Sequence, residues 1–307
     1  MAHPRHARRR TQATLATSAA VAALTLLVGC GPVPASSAGG RLVVVAGENA
    51  WGSIAAEIGG PRVSVTSIIT DPAADPHTYE ADPRTAAALD GASLVIENGA
   101  GYDRFLDKLL GVASQQSRDV LSIANAVALT GDNPNPHLWY SPAYVIAGAR
   151  AIEAHLATHD SANAPIFAAN LQRFLGTYQP YVDTLARISL RYGGAPIAYT
   201  ERVPGYLVAT ARLRLATPAS FAQAIEDGND PAPADTSAMN AAMTEGRVRL
   251  LLYNAQVTSP ATQRVKDLAA ARKIPIVGVA ETLPAGASSF EAWQIGQART
   301  ILTALGG

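Results

Sequence analysis

The chain has one cysteine in 307 residues, Cys30. No intrachain disulfide can form, and centres that need soft thiolate ligands, iron–sulfur clusters and copper(I) among them, have nothing to hold them. Charge is also sparse, at 16% of residues, with 24 basic side chains against 24 acidic ones. Four of the basic residues, Arg5, Arg8, Arg9 and Arg10, are at the amino end. The remainder therefore carries 20 basic against 24 acidic residues, a net of −4, which excludes a basic nucleic-acid-binding face. Past the amino-terminal segment no apolar run reaches the roughly 18 residues that span a bilayer. The phosphate loop Gly-x4-Gly-Lys-Ser/Thr, the Gly-x-Ser-x-Gly elbow and His-Glu-x-x-His are all missing, which leaves nucleotide-hydrolysing, serine-hydrolase and metalloprotease chemistry without a motif. There is no repeat of solenoid period. Histidine is scarce, with six in all, so a pattern among the histidines carries weight.

The four arginines precede an uncharged Ala-, Leu- and Val-rich run from Thr11 to Gly29. This is the basic and apolar build of a secretory signal, expected over residues 1–29. Leu27-Val28-Gly29-Cys30 resembles the lipobox of bacterial lipoproteins, whose cysteine is acylated and becomes the new amino terminus. The small-residue stretch up to Gly40 cannot bury enough surface to fold, and residues 30–40 are expected to be a flexible tether. The expected protein is monomeric, extracytoplasmic and lipid-anchored to the cell membrane through Cys30.

From Arg41 onward, short apolar runs alternate with helical patterns, which argues for βα units and mostly parallel sheets. Leu42 to Ala46, Val63 to Ile69, Leu94 to Glu97 and Val120 to Ile123 are predicted strands of an amino-terminal lobe, residues 41–160. Phe167, Leu171, Phe174, Tyr178, Tyr181, Leu185 and Ile188 then follow at spacings of four and three, one apolar stripe on a long helix. This linking helix is expected within residues 161–194, with Asn163 as N-cap, Pro180 as an internal kink and Gly193-Gly194 as its stop. A second lobe, residues 195–307, has predicted strands at Pro196 to Thr200, Val248 to Tyr253 and Ile274 to Val279. Asp235 and Ser259 are expected N-caps there. The fold class is α/β: two βα lobes joined by one long helix.

Two loops repeat one pattern. Asp75-Pro76-His77-Thr78-Tyr79-Glu80 and Asn135-Pro136-His137-Leu138-Trp139 each set a histidine after a proline, and neutral imidazole is a ready ligand for divalent first-row metals. In open parallel sheets ligands gather beyond the carboxyl ends of strands. That rule selects His77 and His137 from the first lobe, and Glu201 and Glu281 from the second. Glu80 is a candidate to orient His77, and Glu48, beyond the first strand, is a competing carboxylate. Two nitrogens and two carboxylates suit tetrahedral Zn²⁺, and bidentate carboxylates would supply the higher oxygen count of Mn²⁺. Simpler readings are a surface pair of Glu201 with Arg202 and a turn cap for Glu281. His155 and His159, four apart on a predicted helix, are expected to lie on a solvated face, with Asp160 the only acid placed to join them.

These residues together resemble the zinc/manganese solute-binding lipoproteins of bacterial ABC importers. The resemblance is carried by the lipobox, Asp75-Pro76-His77, Asn98-Gly99, Pro136-His137-Leu138-Trp139, Thr200-Glu201, Tyr253-Asn254-Ala255-Gln256 and Glu281-Thr282-Leu283-Pro284, and spans Arg41 to Leu305. It implies a binding protein that takes a metal from outside the membrane and hands it to a permease, with no catalysis. Zinc-type members often have a third histidine where Glu201 stands, and the fourth position, here Glu281, is usually aspartate. The His-rich acidic loop of many zinc members is absent. Two other functions fit the residues less well: a secreted zinc-dependent hydrolase with one glutamate as general base, and an adhesin-like surface role.

Overall fold

The computed structural model describes residues 40–71, 79–80, 83–112 and 119–307. Cys30, the leader and His77 lie outside the described residues. The first lobe runs through β1 (Leu42–Glu48), α1 (Asn49–Gly59), β2 (Val63–Ile69), α2 (Pro83–Asp90), β3 (Leu94–Glu97), α3 (Arg104–Val112), β4 (Asp119–Ser122), α4 (Ile123–Ala126) and α5 (Pro142–His159). The linking helix is α6 (Ala164–Tyr192). The second lobe comprises β5 (Pro196–Tyr199), α7 (Gly205–Thr210), β6 (Arg214–Leu215), α8 (Ala219–Glu226), α9 (Pro233–Thr244), β7 (Leu251–Asn254), α10 (Pro260–Ala271), β8 (Ile276–Val279) and α11 (Phe290–Ala304).

Among the described residues each lobe holds a four-stranded sheet, ordered β2-β1-β3-β4 and β6-β5-β7-β8. All the pairings are parallel. The strand order reverses between β1 and β3 in one sheet and between β5 and β7 in the other. A crevice opens beyond the carboxyl ends at such a reversal, so Glu48 and Asn98 border one crevice, and Glu201 and Asn254 the other.

All seven residues of the predicted stripe on α6 are buried. The helix packs against α1 and α5 of the first lobe and α11 of the second, and one continuous core runs through both lobes. Phe174 stacks on Tyr178 at 5.8 Å, and Tyr178 meets Phe290 of α11 at 5.9 Å. At a rise of about 1.5 Å per residue the helix is on the order of 40 Å long, enough to run along both lobes. It passes through Pro180 without ending. Gly194, with φ of 80°, turns the chain in the left-handed region that glycine adopts without strain.

Several local expectations give way to the structure. Asn163 makes no side-chain cap to α6; its Nδ2 donates instead to Asp160 Oδ2 at 2.6 Å. Asp235 lies inside the first turn of α9, because Pro233 starts the helix two residues earlier. Ser259 does cap α10, in a reciprocal capping box with Thr262. Ile123 begins α4 and is not part of β4. The short β6 and the helix α8 have no counterpart in the predicted elements.

Candidate metal centre

His137 follows Pro136 and leads into a single 3-10 turn, Leu138–Tyr140, whose three side chains are buried. Burial of Leu138, Trp139 and Tyr140 pins the loop from below. From the side, Asn98 Nδ2 donates to the Pro136 carbonyl at 2.8 Å, and Trp51 Nε1 fixes the same amide by donating to Asn98 Oδ1 at 3.0 Å. Asn135 Oδ1 accepts the His137 backbone N–H at 3.0 Å and lies 2.7 Å from His137 Nδ1. Asn135 Nδ2 is spent on the Arg202 carbonyl, at 2.7 Å, so Asn135 Oδ1 is an acceptor and Nδ1 carries the ring proton. That tautomer leaves Nε2 pointing into the site, 3.3 Å from Glu281 Oε2. An imidazole lone pair facing a carboxylate oxygen is an arrangement that a cation or a proton stabilises.

The Asn135 loop is also tied to the second lobe. Tyr206 OH donates to the Asn135 carbonyl at 2.8 Å. A Cβ at Gly205 would stand 2.6 Å from Asn135 Nδ2, so only glycine lets the start of α7 approach this closely.

Glu201 follows β5, Glu281 lies two residues beyond β8, and both are buried. Asn254, the last residue of the intervening β7, donates from Nδ2 to Glu201 Oε2 at 3.0 Å and to Glu281 Oε1 at 2.9 Å. The two glutamates are thus joined through one amide group. Gln256 accepts the Glu281 backbone N–H and donates to Thr282 Oγ1 at 3.0 Å. Tyr140 OH donates to the Ala280 carbonyl at 2.7 Å, fastening the residue before Glu281 to the first lobe.

Tyr102 completes the wall. Its hydroxyl donates to Glu281 Oε2 at 3.0 Å, and its ring meets His137 and Trp139 edge-on at 5.7 and 5.0 Å. Burial, followed by the charges of Glu281 and Glu48, pushes the phenol well above its ordinary range, so it stays a donor. Burial likewise pushes Glu48 well up, reinforced by the neighbouring Asp103. Asp103 rises to about 6, again chiefly through burial, against the pull of the Gly99 and Asn98 N–H groups. Glu48 is therefore a buried carboxyl beside Asp103 that holds its proton more tightly than a solvated one. Glu80 is exposed, and its expected partner His77 is outside the described residues.

Two of the simpler readings are corrected. Arg202 does not pair with Glu201: its guanidinium forms a two-pronged bridge to Glu226, at 2.9 and 2.7 Å. The acid that joins His155 and His159 is Asp119 of β4, not Asp160. Asp119 Oδ2 lies 2.6 Å from His155 Nδ1 and 3.0 Å from His159 Nε2, and all three side chains are about 30% exposed. Among the described residues no three His, Cys, Asp or Glu side chains already form a metal cage. The structure brings His137 against Glu281 and links Glu281 to Glu201 through the Asn254 amide. The roles of Asn254, Tyr102, Asn135 and Asn98 were missed, since side-chain amides and phenols at strand ends and in loops leave no periodic trace. Asn98 and Asn254 do stand in the segments that carry the family resemblance.

Known proteins share this architecture. The profile of the zinc-uptake complex component A (ZnuA) periplasmic family matches residues 44–304. The iron-binding protein YfeA of Yersinia pestis is 29% identical over 133 residues, 39% of this chain and 40% of that protein. The manganese-binding lipoprotein MntA of Halalkalibacterium halodurans is 29% identical over 160 residues, 50% of this chain and 52% of the relative. The chain thus spans about half or less of the curated relatives it matches. The periplasmic zinc-binding protein TroA of Treponema pallidum superposes with a TM-score of 0.75 at 16% identity, over 87% of this chain and 99% of TroA, a likeness of fold. These relatives are binding proteins, which leaves the hydrolase alternative without support. By the extent of the match, the chain belongs to the ZnuA family of periplasmic metal-binding proteins and is not an enzyme.

Proposed function

We propose that the protein captures a divalent transition metal, Zn²⁺ or Mn²⁺, in the crevice between its lobes and delivers it to the permease of an ABC importer. His77 and His137 supply two imidazole nitrogens, and Glu201 and Glu281 supply carboxylate oxygens. The observation that carries this reading is the buried junction of the lobes: His137 Nε2 is 3.3 Å from Glu281 Oε2, and Asn254 ties Glu281 to Glu201. His137 and Glu281 meet directly and Glu201 is tied to them through the Asn254 amide, all out of water, where a cation offsets the cost of burying carboxylates. Glu80 orients His77 and Glu48 lies behind the site. Residues 1–29 direct export, Cys30 receives the lipid, and residues 30–40 let the lobes reach the permease. Among the described residues no helix is long and apolar enough to cross a membrane. The protein works as a monomer.

The test is a thermal melt of chelator-treated protein. Because the donors converge only in the native state, saturating Zn²⁺ or Mn²⁺ raises the midpoint, by about 2.7 kcal/mol of stabilisation at a hundredfold excess over Kd. The double variant His137→Ala, Glu281→Ala loses the shift. An unchanged midpoint for the wild-type protein with either metal overturns the proposal.

A further inference from the structure

We propose that Asp119, His155 and His159 form a second, solvent-facing site for a divalent first-row metal of the Zn²⁺ type, at the end of the first lobe away from the crevice. The fold places it there. The strands of that sheet are parallel, so Asp119, the first residue of β4, lies at the opposite end of the sheet from the crevice beyond the carboxyl ends. α5 packs on β4 and brings its last turn to Asp119. His159 is the last residue of that helix, and His155, one turn earlier, shares its face. β4 is an edge strand, which leaves this corner open to solvent. The carbonyl end of α5 also favours positive charge nearby.

Both imidazoles close on one oxygen, with Asp119 Oδ2 at 2.6 Å from His155 Nδ1 and 3.0 Å from His159 Nε2. As they stand the three donors do not enclose a common point, and among the described residues no ready-made cage exists. The adjustment is small. Around a tetrahedral ion bound at about 2.0–2.1 Å, neighbouring donors stand about 3.3 Å apart, so the two gaps widen by about 0.7 and 0.3 Å. Side chains 30%, 33% and 27% exposed have room for that movement. A neutral imidazole carries its proton on either nitrogen, so both facing nitrogens can present lone pairs. Partial burial raises the Asp119 carboxyl, but hydrogen bonds from the two histidines outweigh it and hold the group below the ordinary carboxylate range. The set is two neutral nitrogens and one anionic oxygen, which suits Zn²⁺ and lacks the oxygens that Ca²⁺ requires. Water completes the coordination at this open corner.

The experiment titrates Zn²⁺ calorimetrically into chelator-treated wild-type protein, His155→Gln and Asp119→Asn, and counts the sites per chain. Asp119→Asn keeps an oxygen acceptor for the imidazoles and removes the charge. The expected result is one site fewer in each variant than in the wild type. An unchanged count in both reduces the three residues to a hydrogen-bonded clamp between β4 and α5 and overturns the inference. Diethyl pyrocarbonate labelling of the wild type, read by mass spectrometry, needs no variant. Zn²⁺ should slow modification of His155 and His159 about tenfold when the free ion stands at about ten times Kd, and equal rates with and without Zn²⁺ overturn the inference even if neither variant folds. The crevice is tested apart from this site. A single wild-type site that His155→Gln abolishes and His137→Ala leaves in place upholds this inference and removes the crevice reading, whereas a wild type that takes up no Zn²⁺ overturns both.

Discussion

Glu57 on α1 and Glu291 on α11 are two carboxyl groups held against each other where the lobes meet, and Thr177 of α6 donates to Glu291 Oε1 at 2.9 Å. Glu57 Oε1 and Glu291 Oε2 are sealed from solvent and receive no donor from other groups. The pair is satisfied only when one carboxyl keeps a proton and donates it to the other. Burial, then the hydrogen bond and charge of Glu291, push Glu57 up to about 8.

This pair predicts a pH dependence of stability. An unfolded glutamate titrates near about 4.3, so the folded chain holds this proton more tightly than the unfolded one. The contribution is fully present in acid and is lost as the pH rises from about 4.3 through the folded value. Glu57→Gln keeps a donor at every pH. Glu57 is partly solvated, so the discounted gain is about 1 kcal/mol at pH 8, or roughly 2–4 °C in midpoint. Melts of both proteins at pH 5 and pH 8 should separate only at the higher pH.

The bridge between Arg202 and Glu226 is nearly closed to solvent, with side chains 17% and 4% exposed. Glu226→Ala leaves a guanidinium with no carboxylate partner beside the crevice, one residue from Glu201. Removing one partner of a buried pair costs about 3 kcal/mol. Urea unfolding should show that loss, and metal affinity should drop as Arg202 turns to the neighbouring carboxylate.

Asn98 joins Trp51 to the carbonyl that precedes His137. Asn98→Ala strands a buried indole N–H and a buried carbonyl, at about 2 kcal/mol. It also loosens the loop carrying the imidazole, and calorimetric titration should find Zn²⁺ bound about tenfold more weakly.

The stripe on α6 serves both lobes at once. Phe174→Ala opens a cavity between α6 and α11 and should cost about 3–5 kcal/mol, in one unfolding transition seen alike by circular dichroism and tryptophan fluorescence. Leu190, 87% exposed on the same helix, is the control: Leu190→Ser should stay within about 0.5 kcal/mol of wild type.

Much of the architecture was legible because it rests on periodicity. The alternation of four and three from Phe167 to Ile188 specifies one buried helical face whatever surrounds it, and the apolar runs of β1 and β3 specify strands covered on both sides. What failed was short or was decided by neighbours. β6 is two residues long and starts with exposed Arg214, too little for any period to register. Asn163 and Asp235 have cap chemistry, but Asp160 claimed the first and Pro233 started the helix ahead of the second.

For the candidate site the division is sharper. The sequence by itself determined which side chains are available: two imidazoles after prolines, two carboxylates after strands, and no thiol besides Cys30 to compete. The tertiary structure alone decided who meets whom. Arg202 turns to Glu226 rather than to Glu201, Asp119 reaches His155 and His159 across a gap of more than thirty residues, and Asn254 stands between two glutamates because β7 lies between β5 and β8. Donor identity is written residue by residue, whereas distance and lone-pair direction depend on strand order and packing, which no local pattern encodes.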